Sequence, residues 1–133
     1  MTLPRLEGRS ILILEEDEFL SGYIASVLED CGAEIVGPFT CLQEARAELG
    51  VRNLSASVLD VHAAGALELA GAMQGQGLPL VFVSARPAAQ VPAHYESVLL
   101  FSRPFAGHQI ANALSDLFAC PAEAGRLGAS GQG

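Results

Sequence analysis

Ser57-Val58-Leu59-Asp60-Val61-His62 is a short apolar run that ends in a single carboxylate. Its length and its β-branched and leucine content predict a strand covered on both faces. Three other runs in the chain end in a similar way: Ile11 to Leu14 meets Glu15-Glu16-Asp17, Leu80 to Val83 meets Ser84, and Val98 to Phe101 leads to Arg103. If the four are parallel strands of one sheet, their polar ends meet at one edge. Open α/β sheets keep their binding sites at that edge.

A chain of 133 residues suits one domain, and burying roughly two thirds of its unfolded surface supplies a core without a disulfide or metal staple. The three cysteines, Cys31, Cys41 and Cys120, are widely spaced and form no paired motif, which fits a reducing compartment. No apolar run approaches the ~20 residues that span a bilayer. Met1-Thr2-Leu3-Pro4-Arg5 lacks the apolar core of a secretory signal, so a soluble, cytoplasmic protein is expected. Seven basic residues against fifteen acidic ones leave a formal charge of -8, which repels phosphate backbones and anionic lipid alike. Neither nucleic acid nor membrane is an expected partner. All seven basic residues are arginine.

Along the chain, residues 1–9 read as a lead-in and Ser10 to Leu14 as a central strand. Phe19, Leu20, Tyr23, Ile24, Val27, Leu28 and Cys31 then make one helical stripe, which Gly32 stops. Glu34 to Phe39 reads as a second strand, placed at a sheet edge by Gly37-Pro38. Thr40 is positioned to cap a helix through Leu49, ended by Gly50. Ala56 to Asp60 is the third strand, followed by an alanine-rich helix over about Ala66 to Gln74. Leu80 to Val83 is the fourth, and Pro87 and Pro92 leave room after it only for a short or irregular helix. Val98 to Phe101 is the fifth, and Phe105, Ile110, Ala113, Leu114, Leu117 and Phe118 give a final amphipathic helix. Residues 120–133, small, polar and glycine-rich, predict a flexible tail with no second domain. Alternating βα units with right-handed crossovers give a doubly wound parallel sheet, helices on both faces.

The polar residues at the strand ends decide among the uses of such a fold. Acidic residues, not a GxGxxG or GxxxxGK[ST] turn, follow the first strand, which argues against dinucleotide and P-loop binding. Glu16, Asp17 and Asp60 would bring carboxylates together that repel one another unless protons or a cation intervene. Such hard oxygen ligands suit Mg²⁺ or Mn²⁺, which keep several waters and accept phosphate oxygens. Taken singly, each residue has a plainer reading. Asp60 could cap the next turn, Glu18 could be a solvated helix start, Ser84 a turn residue and Arg103 a surface ion pair. His62 and His94 have no ligand spacing and read as exposed loop residues.

Taken together, over residues 10–119, the pattern resembles the receiver domain of two-component response regulators. Glu15-Glu16-Asp17 resembles the acidic motif after the family's first strand and Leu59-Asp60 its phosphoacceptor strand. Ser84 stands at the family's Ser/Thr position, and Arg103-Pro104-Phe105 at its Lys-Pro-Phe. Val36-Gly37-Pro38 and Val81-Phe82-Val83-Ser84-Ala85 are also similar to stand-alone bacterial receivers without an output domain.

The resemblance implies a flavodoxin-like fold with strand order 2-1-3-4-5 and an Asp60 that accepts a phosphoryl group from a histidine kinase or phosphotransfer protein. It further implies Mg²⁺ (or Mn²⁺) held by Glu16, Asp17, Asp60 and the backbone carbonyl of His62. Ser84 and Arg103 would bind the phosphoryl group and switch with it, and His62 and Arg86 would tune its lifetime. The output would be protein–protein interaction with a downstream partner or in a homodimer, with no enzyme activity beyond self-phosphotransfer and autodephosphorylation. Two departures stand out. Arg103 replaces lysine with a bulkier planar head, and Leu100 replaces an aromatic residue coupled to the family's switch. Arg103 supports an alternative: a pseudo-receiver, a binding module that keeps the fold without being phosphorylated.

Overall fold

A computed structural model describes residues 5–51, 53–87 and 90–119; the expected tail over 120–133 and the start of the lead-in, residues 1–4, lie outside the described residues. In chain order the elements are β1 (Ser10–Leu14), α1 (Glu18–Asp30), β2 (Glu34–Phe39), α2 (Leu42–Ala47), β3 (Ala56–Asp60) and α3 (Ala66–Gly75). They continue with β4 (Leu80–Pro87), a single 3-10 turn (Ala93–Tyr95), β5 (Leu100–Arg103) and α4 (Gly107–Ala119). The strands form one parallel sheet in the order β2-β1-β3-β4-β5. This is the doubly wound architecture expected from the alternating pattern.

β1, β2 and β3 have the predicted bounds; β1 and β3 are buried almost throughout, as central strands written as apolar runs are. β2 is at the sheet edge, where the missing N–H of Pro38 is tolerated. The β1–β2 register slips between Leu12 and Leu14 beside Gly37. Gly37 has φ of +109°, and a Cβ there would sit 2.7 Å from the Phe39 nitrogen, so only glycine fits.

Three local expectations are corrected. Cys41, not Thr40, occupies the N-cap of α2, with no side-chain cap hydrogen bond, and the helix ends at Ala47 before Leu49. β4 runs past Val83 to Pro87, paired with β5 across an irregularity between Ser84 and Pro87. The short or irregular helix expected between β4 and β5 is, among the described residues, the 3-10 turn Ala93–Tyr95. β5 itself begins at Leu100, because the Val98 N–H is engaged by the Tyr95 carbonyl at 2.9 Å and closes that turn.

The sheet's alternation sorts the core into two layers. Ile11, Ile13, Val58, Val81 and Val83 pack beneath α1 and α4 against Leu20, Ile24, Leu28, Ile110 and Leu114. Leu12, Leu14, Leu59 and Phe82 pack on the opposite side against Ala45 of α2 and Leu69, Ala70 and Met73 of α3. Tyr95 fastens the 3-10 turn to this second layer: its ring meets Phe82 edge-on at 5.8 Å and its hydroxyl donates to the Leu67 carbonyl at 3.0 Å. On the first layer α1 and α4 touch directly. The Gly107 N–H donates to the Tyr23 hydroxyl oxygen at 2.7 Å, and a Cβ on Gly107 would lie 2.8 Å from Val27 Cγ2. Among the described residues, no helix is long and apolar enough to cross a membrane.

Ser57, paired with Leu12 and Leu80, is fully buried in β3, and its Oγ has no hydrogen-bond partner among the described residues. A buried hydroxyl left unpaired costs about 1–3 kcal/mol. Ser57→Ala is therefore expected to stabilise the fold by about 1 kcal/mol, read as a higher urea midpoint at unchanged slope. A lower midpoint would show that the hydroxyl serves a partner.

Candidate functional site

β1 and β3 pair side by side, Ile13 with Val58 and Leu14 with Leu59, so Glu15 and Asp60 emerge next to each other at the C-terminal edge of the sheet. Counting by two from Ile11 and Ile13 reaches Glu15; counting by two from Ala56 and Val58 reaches Asp60. Both carboxyl groups are buried, 1% and 6% exposed respectively. Each is oriented by a backbone donor two residues ahead. The His62 N–H donates to Asp60 Oδ1 at 2.9 Å, and the Asp17 N–H donates to Glu15 Oε2 at 2.9 Å. Glu15 Oε1 has no hydrogen-bond donor among the described residues.

Burial pushes the Glu15 carboxyl from 4.5 up to about 8; the Asp17 N–H opposes the rise, and the neighbouring Asp60 carboxyl adds to it. At neutral pH Glu15 keeps its proton. The elements around it form a cleft of about 160 Å³, lined by Glu15, Glu16, Asp17, Asp60, His62, Ala85 and Arg86. That volume is too small for a drug-sized ligand, which needs roughly 300 Å³ or more, and suits an ion or a single small anionic group.

The other expected residues divide. Asp17 lines the cleft, but its Oδ1 accepts the Phe19 and Leu20 N–H groups at 3.0 and 3.1 Å and so caps α1. Its Oδ2 lies 3.9 Å from the Arg103 guanidinium, both side chains being partly exposed. Glu16 is exposed and accepts the Ala64 N–H at 3.3 Å. His62 and Arg86 are exposed at the rim of the cleft. Ser84 is fully buried; its Oγ accepts the Arg86 N–H at 3.0 Å. Neither Ser84 nor Arg103 is part of the cleft wall. Leu100 is half-buried in the α2/α3 layer, and His94 is exposed, edge-on to Tyr95 at 5.0 Å. Glu16 and Asp17 are the ligands expected from the sequence; the structure buries Glu15 beside Asp60, and the period of two along β1 is the signal that points to that placement. Among the described residues, no group of three or more His, Cys, Asp or Glu side chains stands as a ready-made metal cage.

No protein-family model matches the sequence, and no curated protein matches it. Solved structures do. The solution structure of SdrG from Sphingomonas melonis Fr1 is 22% identical, with a TM-score of 0.64 over 83% of this chain and 96% of that one. The response regulator PhyR from Brucella abortus is 20% identical, with a TM-score of 0.68 over 98% of this chain and 55% of PhyR. A chain in the complex of histidine kinase ThkA with the response regulator TrrA is 17% identical, with a TM-score of 0.69 over 82% of this chain and 97% of that one. The fold is that of response-regulator receiver domains.

Glu15 gives the fold a pH dependence whose sign follows from its raised value. Below about pH 4.5 the folded and unfolded chains both carry this proton. Between about pH 4.5 and 8 the unfolded chain releases it while the folded chain retains it, so stability falls as pH rises; above about 8 the loss is complete. The Tm of Glu15→Gln should gain on that of the wild type progressively across this window, then hold a constant lead. Parallel Tm curves would show that Glu15 ionises normally.

Proposed function

We propose that the chain is a response-regulator receiver in which Asp60 accepts a phosphoryl group. The observation that carries this reading is the pairing of a buried, backbone-oriented Asp60 with Glu15, whose Oε1 is buried and without a hydrogen-bond partner among the described residues, in a cleft sized for a small group. In the reaction, an Asp60 oxygen attacks the phosphorus of a phosphohistidine on a kinase or phosphotransfer protein. The P–O bond forms as the P–N bond breaks, and the imidazole departs and takes up a proton. The His62 N–H holds one Asp60 oxygen and leaves the other as the nucleophile.

The donor set fits a hard divalent cation: Glu15 Oε1 lacks a partner and stands beside Asp60. Glu15, Glu16 and Asp60, with the His62 backbone carbonyl, would hold Mg²⁺ or Mn²⁺, and Asp17 is drawn away by its cap. When bound, the cation offsets charge on the phosphoryl oxygens. Ser84 would turn its hydroxyl from the Arg86 N–H to a phosphoryl oxygen, and Arg103 would reach the group from β5. His62 and Arg86 at the rim, and Leu100 at the start of β5, would set how long the aspartyl phosphate lasts. The signal leaves through a changed surface, to a downstream protein or a second copy of the chain. The chain works in the cytoplasm and has no separate substrate. A second reading, the non-phosphorylated pseudo-receiver, is favoured by one observation: Arg103 stands on Asp17 and outside the cleft wall.

Incubation with Mg²⁺ and acetyl phosphate, or with a phosphorylated cognate kinase, should add one phosphoryl group by intact mass. Asp60→Asn should abolish the adduct completely. No adduct with either donor would sink the phosphoacceptor reading in favour of the pseudo-receiver. In the same assay Arg103→Lys should raise the adduct rate severalfold; an unchanged rate would clear the arginine of responsibility.

A further inference from the structure

Arg103 is seated on Asp17 and stands outside the cleft wall. It leaves the end of β5, two strands from β3, while Ala85 and Arg86 of the prolonged β4 line the intervening cleft wall. Its guanidinium is 3.9 Å from Asp17 Oδ2. We propose that Asp17 is a positioning residue that parks Arg103 outside the cleft, and that a phosphoryl group on Asp60 competes with Asp17 for it. The competition rests on the phosphoacceptor reading above.

Three features carry it. First, the two Asp17 oxygens have separate partners: Oδ1 is fixed by the Phe19 and Leu20 N–H groups, which also fixes where Oδ2 points. The parking place is thus preorganised. Second, the pair is partly exposed, so it is worth only ~0–1 kcal/mol, weak enough to break. Third, a phosphoryl group carries about -1.5 to -2 charges against one on Asp17, and three acceptor oxygens that suit the planar guanidinium fork. When the group is present it outcompetes Asp17, and when it is absent Arg103 returns.

Asparagine caps a helix about as well as aspartate, so Asp17→Asn removes the charge and keeps the cap. The test titrates beryllofluoride, a phosphoryl mimic, with Mg²⁺ into the wild type, Asp17→Asn, Arg103→Gln and the double variant, reading binding by ¹⁹F NMR. Asp17→Asn should bind more tightly, by up to about fivefold, the equivalent of the pair's weak attraction. The gain should vanish in the Arg103→Gln background, and added salt, which screens the exposed pair, should narrow it. Asp17→Ser, another uncharged cap, should repeat the result. Unchanged or weaker binding by both capped variants overturns the proposal. An equal gain in the Arg103→Gln background also overturns it, since removal of a nearby negative charge alone would then explain the effect. Binding by all proteins without coupling removes the competition and leaves the phosphoacceptor reading standing; binding by none removes both.

Discussion

Two buried carboxyl groups side by side, Glu15 and Asp60, set the terms for everything at the C-terminal edge of the sheet. Like charges this close in a poorly solvated place cannot both ionise without compensation. The fold resolves the conflict with a proton on Glu15 and with single backbone donors aimed at each carboxyl. The same arrangement makes the edge receptive to positive charge, since a proton that is held by burial is also one that a cation can displace. The apolar layers beneath have the task of keeping β1 and β3 in the register that maintains this juxtaposition.

That register also explains how far the chain could be read in advance. The strands of the buried sheet were legible because a strand covered on both faces tolerates no polar residue between its ends. Ser57 is the exception, a hydroxyl with no partner in an otherwise apolar β3. The edge position of β2 was legible from Pro38, whose missing N–H cannot serve a central ladder. The start of β5 was not: Val98 and Leu99 are as apolar as Leu100, and what separates them is a hydrogen bond from Val98 to Tyr95, which no local pattern announces. The prolongation of β4 was hidden in the same way, because Arg86 and Pro87 read as a break and the irregularity opposite β5 absorbs them.

The site itself was legible in composition and less so in direction. Asp60 and Arg103 stand at strand ends as expected, whereas Ser84 lies inside the longer β4; an acidic run of Glu15-Glu16-Asp17-Glu18 does not by itself say which oxygen faces inward. Two local rules divide the run. Strand alternation carries through Glu15 and turns it into the sheet's interior, and the helix start claims Asp17 for the exposed amides of α1. The N–H groups left open at a helix start are the reason Asp17 turns one oxygen toward α1.

The contacts made by α1 have a mechanical consequence. The helix holds the segment that leaves β5 at two places: Asp17 at Arg103 and Tyr23 at Gly107. The two holds differ in strength: the Asp17–Arg103 pair is long and exposed, whereas the Tyr23–Gly107 hydrogen bond is short and part-buried. Loss of the first therefore leaves the second, and with it the packing of α4 on α1, in place. Beside the weaker hold, in the first turn of the helix, stands Phe19, 91% exposed.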